Sequence, residues 1–128
     1  MSVLTDSLSL VLVAAIWGIT NPFLKVGSAR CRKLDAEVQP FLRPFLYFWY
    51  LLTEWRFSVP FITNQLGSVF FLWLLAHRPL TVVVPVVNSL AFLITSLTGT
   101  FLGEPPSSNR SLFGCVLVVC GVALCLSF

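Results

Sequence analysis

PLTVVVPVVNSLAFLITSLTGTFLG, residues 79 to 103, runs for 25 residues without one charged side chain. A hydrocarbon layer ~30 Å thick is crossed by about 20 apolar residues of helix, so this stretch is long enough to span a bilayer. Working outward, three further runs lack a charge: Phe57 to His77 before it, Ser7 to Leu24 near the amino end, and Ser111 to Phe128 after it. Eight of the thirteen charged residues crowd between Arg30 and Arg56, and the other five (Asp6, Lys25, Arg78, Glu104, Arg110) border the apolar runs.

The composition agrees. Hydrophobic residues make up 57% and charged ones 10%, whereas a soluble domain carries about 25% charge. Within lipid every backbone N–H and C=O has to be paired inside the protein. Runs of this length meet that need as helices, and the strict alternation of barrel strands is absent. The expected fold class is all-α: a polytopic membrane protein forming one domain over residues 1–128. Its spans fall at about 7–27, 57–77, 79–103 and 111–128. The first run is read as a retained span, because Asp6 precedes it, no Lys or Arg does, and no small-x-small cleavage site follows.

The segment 41–56 belongs to none of these spans. Within FLRPFLYFWYLLTEWRF, Arg43, Glu54 and Arg56 bracket only ten uncharged residues, too few to cross. A helix from Pro44 onward would place Phe45, Phe48, Trp49 and Leu52 on one face, and Trp and Tyr favour headgroup depth, so an interfacial aromatic helix is predicted.

Charge placement also predicts orientation. Lys25, Arg30, Arg32, Lys33, Arg43 and Arg56 flank or fill the first loop and Arg110 the third, seven basic residues against Arg78 alone on the opposite side. The first and third loops are therefore expected in the cytoplasm, with both termini on the far side. The net charge of +3 is not a nucleic-acid footprint, because the basic residues border membrane helices and suit anionic lipid headgroups. Asn109-Arg110-Ser111 is a glycosylation sequon that this orientation makes unusable.

Cysteines suggest no metal or disulfide. Cys115, Cys120 and Cys125 recur every fifth residue, turned by ~140° each time on a helix, and read as small packing residues. Cys31 stands alone in the basic loop, either packed or an acyl acceptor.

Amides are costly in hydrocarbon unless partnered, so Asn21, Asn64, Gln65 and Asn88 are expected to face the bundle interior. Trp17, Asn21 and Lys25 lie four apart on one stripe, with Gly18 beside it to admit a neighbouring backbone. Pro22 and Pro85 each remove a helix hydrogen bond, leaving the carbonyls of Gly18 and Thr81 available. Two Pro-interrupted spans with adjacent Asn residues suit either a midplane polar cavity or a satisfied packing network. Lys25 and Glu104 are expected to pair at the cytoplasmic mouth. No Asp or Glu lies inside a charge-free run, so no carboxylate is offered as a proton carrier. Gly99 and Gly103 form a GxxxG, and Gly114 and Gly121 punctuate the last run; these four are the expected helix-packing glycines. His77 has Arg78 beside it and no acid nearby, so an enzyme is not expected, nor a metal or cofactor.

Asn64-Gln-Leu-Gly-Ser, Leu80-Thr-Val-Val-Val-Pro-Val-Val-Asn-Ser-Leu-Ala and Leu102-Gly-Glu, with the opening Leu10-Val-Leu-Val-Ala-Ala-Ile-Trp-Gly-Ile-Thr-Asn-Pro-Phe-Leu-Lys, resemble the drug/metabolite transporter superfamily. Within it the chain is most similar to the transmembrane protein 234 family, a four-span branch related to small multidrug resistance proteins. The likeness fails only across about residues 28 to 57. It implies a carrier or flippase of an amphiphilic or lipid-linked substrate, with membrane lipids and a homodimer or larger membrane complex as partners. Trp17 occupies the position where the multidrug exporters carry their proton-coupling Glu, which argues against proton-driven drug export. Two functions follow as expectations. In the first, Trp17, Asn21, Asn64, Gln65 and Asn88 bind a polar headgroup and the protein rocks about Gly99 and Gly103, with Pro22 and Pro85 as bends. In the second, the chain is a non-transporting accessory subunit. An endomembrane or other organelle membrane is the expected location.

Overall fold

The computed structural model describes residues 3–35, 39–105 and 108–127. All regular structure among them is helical: α1 (Val3–Asp35), α2 (Arg43–Thr53), α3 (Trp55–His77), α4 (Leu80–Phe101) and α5 (Asn109–Ser127). Three helices are long and apolar enough to cross a membrane: α1 over Ser7–Arg32, α3 over Trp55–His77 and α4 over Leu80–Phe101. The apolar part of α5 is shorter, Asn109–Cys125.

The first helix outruns the span expected at 7–27. It continues unbroken through Pro22 to Asp35, because the basic residues that close the apolar run are themselves good helix formers. The segment expected at 41–56 is divided. Glu54 adopts an extended conformation between α2 and α3, so Trp55 and Arg56 open the next helix. The Ser58 hydroxyl secures this corner by donating to the carbonyls of Leu51 and Leu52 at 3.0 and 2.8 Å. At the other end, Arg78 is extended, as the residue before a proline prefers. Pro79 then starts α4, its carbonyl accepting from the amides of Val82 and Val83.

α1 is the central element. It packs along both α3 and α4, which barely touch each other, and α5 leans on α4 alone among the described residues. The core comprises Leu10, Val13 and Ala14 of α1, Leu74 of α3, and Val83, Val86, Val87 and Ala91 of α4. Their three-and-four spacing puts each set on one helix face. Lipid is as apolar as these side chains, so close packing and small residues, more than burial from water, hold the helices together.

Glycines mark where the backbones meet. A Cβ at Gly18 would lie 2.5 Å from Ile94 Cβ and 3.0 Å from the Ala91 carbonyl. Gly67 of α3 sits against Ile16 and Trp17, and Gly27 of α1 against Arg56 and Phe57. The GxxxG of α4 does something different. Gly103 has φ +90°; its amide donates to the Thr100 carbonyl and that of Glu104 to the Gly99 carbonyl, at 3.1 and 3.0 Å. This pattern ends a helix with a left-handed glycine and pairs its last carbonyls. Within the described residues neither Gly99 nor Gly103 forms the expected helix contact: one makes room for the Glu104 side chain, and the other terminates α4. Gly114 and Gly121 have nothing within contact distance of a Cβ, so they are not helix contacts among the described residues either.

Candidate functional site

One residue stripe on α1 and one on α3 bring polar groups together where the two helices cross. The Asn64 amide nitrogen donates to Thr20 Oγ1 at 2.7 Å and to Asn21 Oδ1 at 3.2 Å. The Trp17 indole N–H donates to the Asn64 backbone carbonyl at 3.2 Å. Thr20 in turn donates to the Ile16 carbonyl at 2.7 Å, which leaves its oxygen free to accept. Every polar atom named here finds its partner within the pair of helices.

Of the residues expected to bind a headgroup, Trp17, Asn21 and Asn64 therefore meet, while Gln65 and Asn88 do not. Gln65 is one residue beyond Asn64, a rotation of ~100° on a helix, and is exposed. Asn88 follows buried Val87 and is exposed for the same reason. Neither has a hydrogen-bond partner among the described residues. The expectation that all four amides face inward is thus corrected to one half-buried amide, Asn64, with Asn21 reaching it from an exposed position. Trp17 is engaged on both counts, its N–H on Asn64 and its ring 4.9 Å from that of Phe71.

Thr20 and Gly67 complete the arrangement and were not among the expected site residues. Thr20 is 6% exposed, a buried polar side chain in the core. Its signal in the sequence is faint, a hydroxyl beside Asn21. Gly67 is one turn past Asn64 and lets the Trp17 ring lie against α3.

Toward the basic loop, Lys25 forms an ion pair with Glu104, joining α1 to the residue just past the α4 cap. Both side chains are substantially exposed, 70% and 44%, so the pair contributes only about 0–1 kcal/mol. Arg30 reaches Glu54 at 3.9 Å. Cys31 beside it is fully buried and lies within α1, which corrects its placement in the basic loop. Among the described residues no group of His, Cys, Asp or Glu is arranged to hold a metal.

The chain is thus an all-helical integral membrane protein that crosses the bilayer more than once. Residues 10–126 match the family described as "Putative transmembrane family 234", and the chain belongs to that family. It is similar to the transmembrane protein 234 homolog of Dictyostelium discoideum, 41% identical over 121 residues that cover 94% of this chain and 93% of that protein. It is also similar to the transmembrane protein 234 homolog of Anopheles gambiae, 38% identical over 118 residues that cover 92% of this chain and 84% of that one. No solved structure matches.

Proposed function

We propose that this protein is a small accessory subunit of a membrane assembly, a four-span relative of the drug/metabolite transporters that works by docking and not by carriage. The observation that carries this reading is the pair of unpartnered amides, Gln65 and Asn88, exposed near the middles of α3 and α4. An amide facing acyl chains is costly, and a hydrogen-bonding helix from a partner removes that cost. Thr81, Asn88 and Thr95 recur at seven residues and so share one face of α4. Asn88 on that face is exposed, whereas Val83 and Val87 are buried in the core and Ile94 packs against it.

The interior supports the same conclusion. The Asn64 amide nitrogen is engaged by Thr20 and Asn21, and three clefts among the described residues, one at α1–α3 and two at α4–α5, have no Asn or Gln on their walls. In this reading α5 is the fourth span and α2 lies at the interface, its Phe45, Phe48, Trp49 and Leu52 exposed for lipid. The first and third loops face the cytoplasm of an endomembrane or other organelle membrane, and no reaction, metal or cofactor is involved.

Native gel electrophoresis in mild detergent tests this. Asn88→Leu should release the chain from its assembly, whether with a second copy or a different protein, and leave its helicity intact. An assembly unaffected by Asn88→Leu and Gln65→Leu together would overturn the proposal. Carriage of an amphiphile headgroup is the second reading, favoured by the half-exposed Asn21–Asn64 pair. It requires headgroup flipping in proteoliposomes that Asn64→Leu abolishes.

A further inference from the structure

Away from the amide cluster, the basic end of the α1–α3 contact holds a cleft of about 300 Å³. Phe23 and Val26 of α1 form one wall, Val59 and Pro60 of α3 the other, and Leu102 beyond α4 closes one end. All are apolar. The remaining wall is Trp55 and Arg56 at the start of α3, and the Arg56 guanidinium carbon stands 5.5 Å from the centre of the Trp55 ring. Sequence position explains the hollow. Pro60 cannot donate to the Arg56 carbonyl, and Gly27 lets α1 come against Arg56 and Phe57 beside it.

Charge decides what fits. Glu104 is bound to Lys25, and Glu54 lies against Arg30, so each described carboxylate near the cleft already has a cation. Arg56 has no carboxylate partner among the described residues. An apolar slot at the low end of the ~300–1,000 Å³ range of ligand pockets admits one hydrocarbon chain. Beside this apolar slot stand a tryptophan and an arginine with no carboxylate partner among the described residues, which are what a phosphate-bearing headgroup at the membrane interface would meet.

We infer that this cleft is a binding site for an anionic phospholipid, with one acyl chain between α1 and α3 and the headgroup phosphate on Arg56. The site shares no residue with the Trp17–Thr20–Asn21–Asn64 cluster or with Gln65 and Asn88, so it stands independently of the assembly proposal. A basic side chain near the membrane surface contributes about 1 kcal/mol toward an anionic lipid, roughly a five-fold preference.

Native mass spectrometry of the full chain, titrated with phosphatidylglycerol against phosphatidylcholine, reads this directly. The unaltered protein should retain phosphatidylglycerol about five-fold more strongly. Arg56→Gln should erase the preference and still bind either lipid, Arg56→Lys should keep it, and Val59→Trp, which fills the slot, should weaken both. Arg110→Gln, outside the cleft, should change nothing. Arg56 and Val59 are exposed, so unaltered helicity and elution are expected of every variant. The inference is overturned if the protein shows no preference, if Arg56→Gln keeps it, or if Arg110→Gln loses it equally.

Discussion

Replacing Gly18 by alanine adds a single methyl group at the tightest point between α1 and α4. That methyl carbon would lie 2.5 Å from Ile94 Cβ and 2.6 Å from its Cγ2, where carbons settle at about 3.5–4.0 Å. The helices have to part by roughly 1 Å or more, because a Cβ moves only with its backbone. Overpacking of this kind costs about 1–3 kcal/mol, and alanine recovers about 1 kcal/mol through helix propensity. The expected net loss is ~0–2 kcal/mol. Gly114→Ala supplies the contrast. Nothing stands within 4 Å of its Cβ position, so the same substitution should stabilise by up to ~1 kcal/mol. Reversible unfolding in mixed micelles, titrated with sodium dodecyl sulfate, measures both. Because removing the Ile94 side chain relieves the clash, Gly18→Ala combined with Ile94→Gly should show a favourable coupling of at least ~1 kcal/mol. Equal stability of the Gly18→Ala and Gly114→Ala proteins would refute this account of the α1–α4 contact.

Asn64→Leu removes two interhelical hydrogen bonds and leaves the Trp17 bond to the backbone in place. At about 0.6 kcal/mol for such a bond in a membrane protein, the loss should be ~1 kcal/mol in the same titration, and a stabilised variant would show that the cluster is not a structural joint. Gly103→Ala forces a β-carbon into a left-handed backbone position, at a cost of about 1–2 kcal/mol. Its effect should be confined to the end of α4, read as faster amide exchange at Gly103 and Glu104 with the core of α1 unchanged; uniform loss of protection would contradict the capping role.

Much of the architecture is legible in the residue order because lipid imposes strict rules. Charge-free runs of helical length announce α1, α3 and α4, and the aromatic block between Arg43 and Glu54 announces α2. Gly18 is also readable, since a small residue beside a polar stripe invites a neighbouring backbone. Other assignments needed a neighbour to be known. Gly99 and Gly103 have the spacing of a helix contact, yet spacing is silent on whether the chain continues as a helix past Gly103, and here it stops. Cys31 looks exposed among basic residues, but α1 runs on past the apolar stretch and buries it.

The amides divide along the same line. The sequence by itself determined that Asn21, Asn64, Gln65 and Asn88 lie within apolar helices and require partners, since no amide is content in hydrocarbon. Only the tertiary structure decided that Asn64 would find Thr20 and Asn21 while Gln65 and Asn88 would find no partner among the described residues. The physical reason is rotational. Adjacent residues on a helix point ~100° apart, so which of Asn64 and Gln65 meets α1 depends on how α3 is turned about its own axis. That turn is set by Gly67 seating Trp17, a contact between residues fifty positions apart.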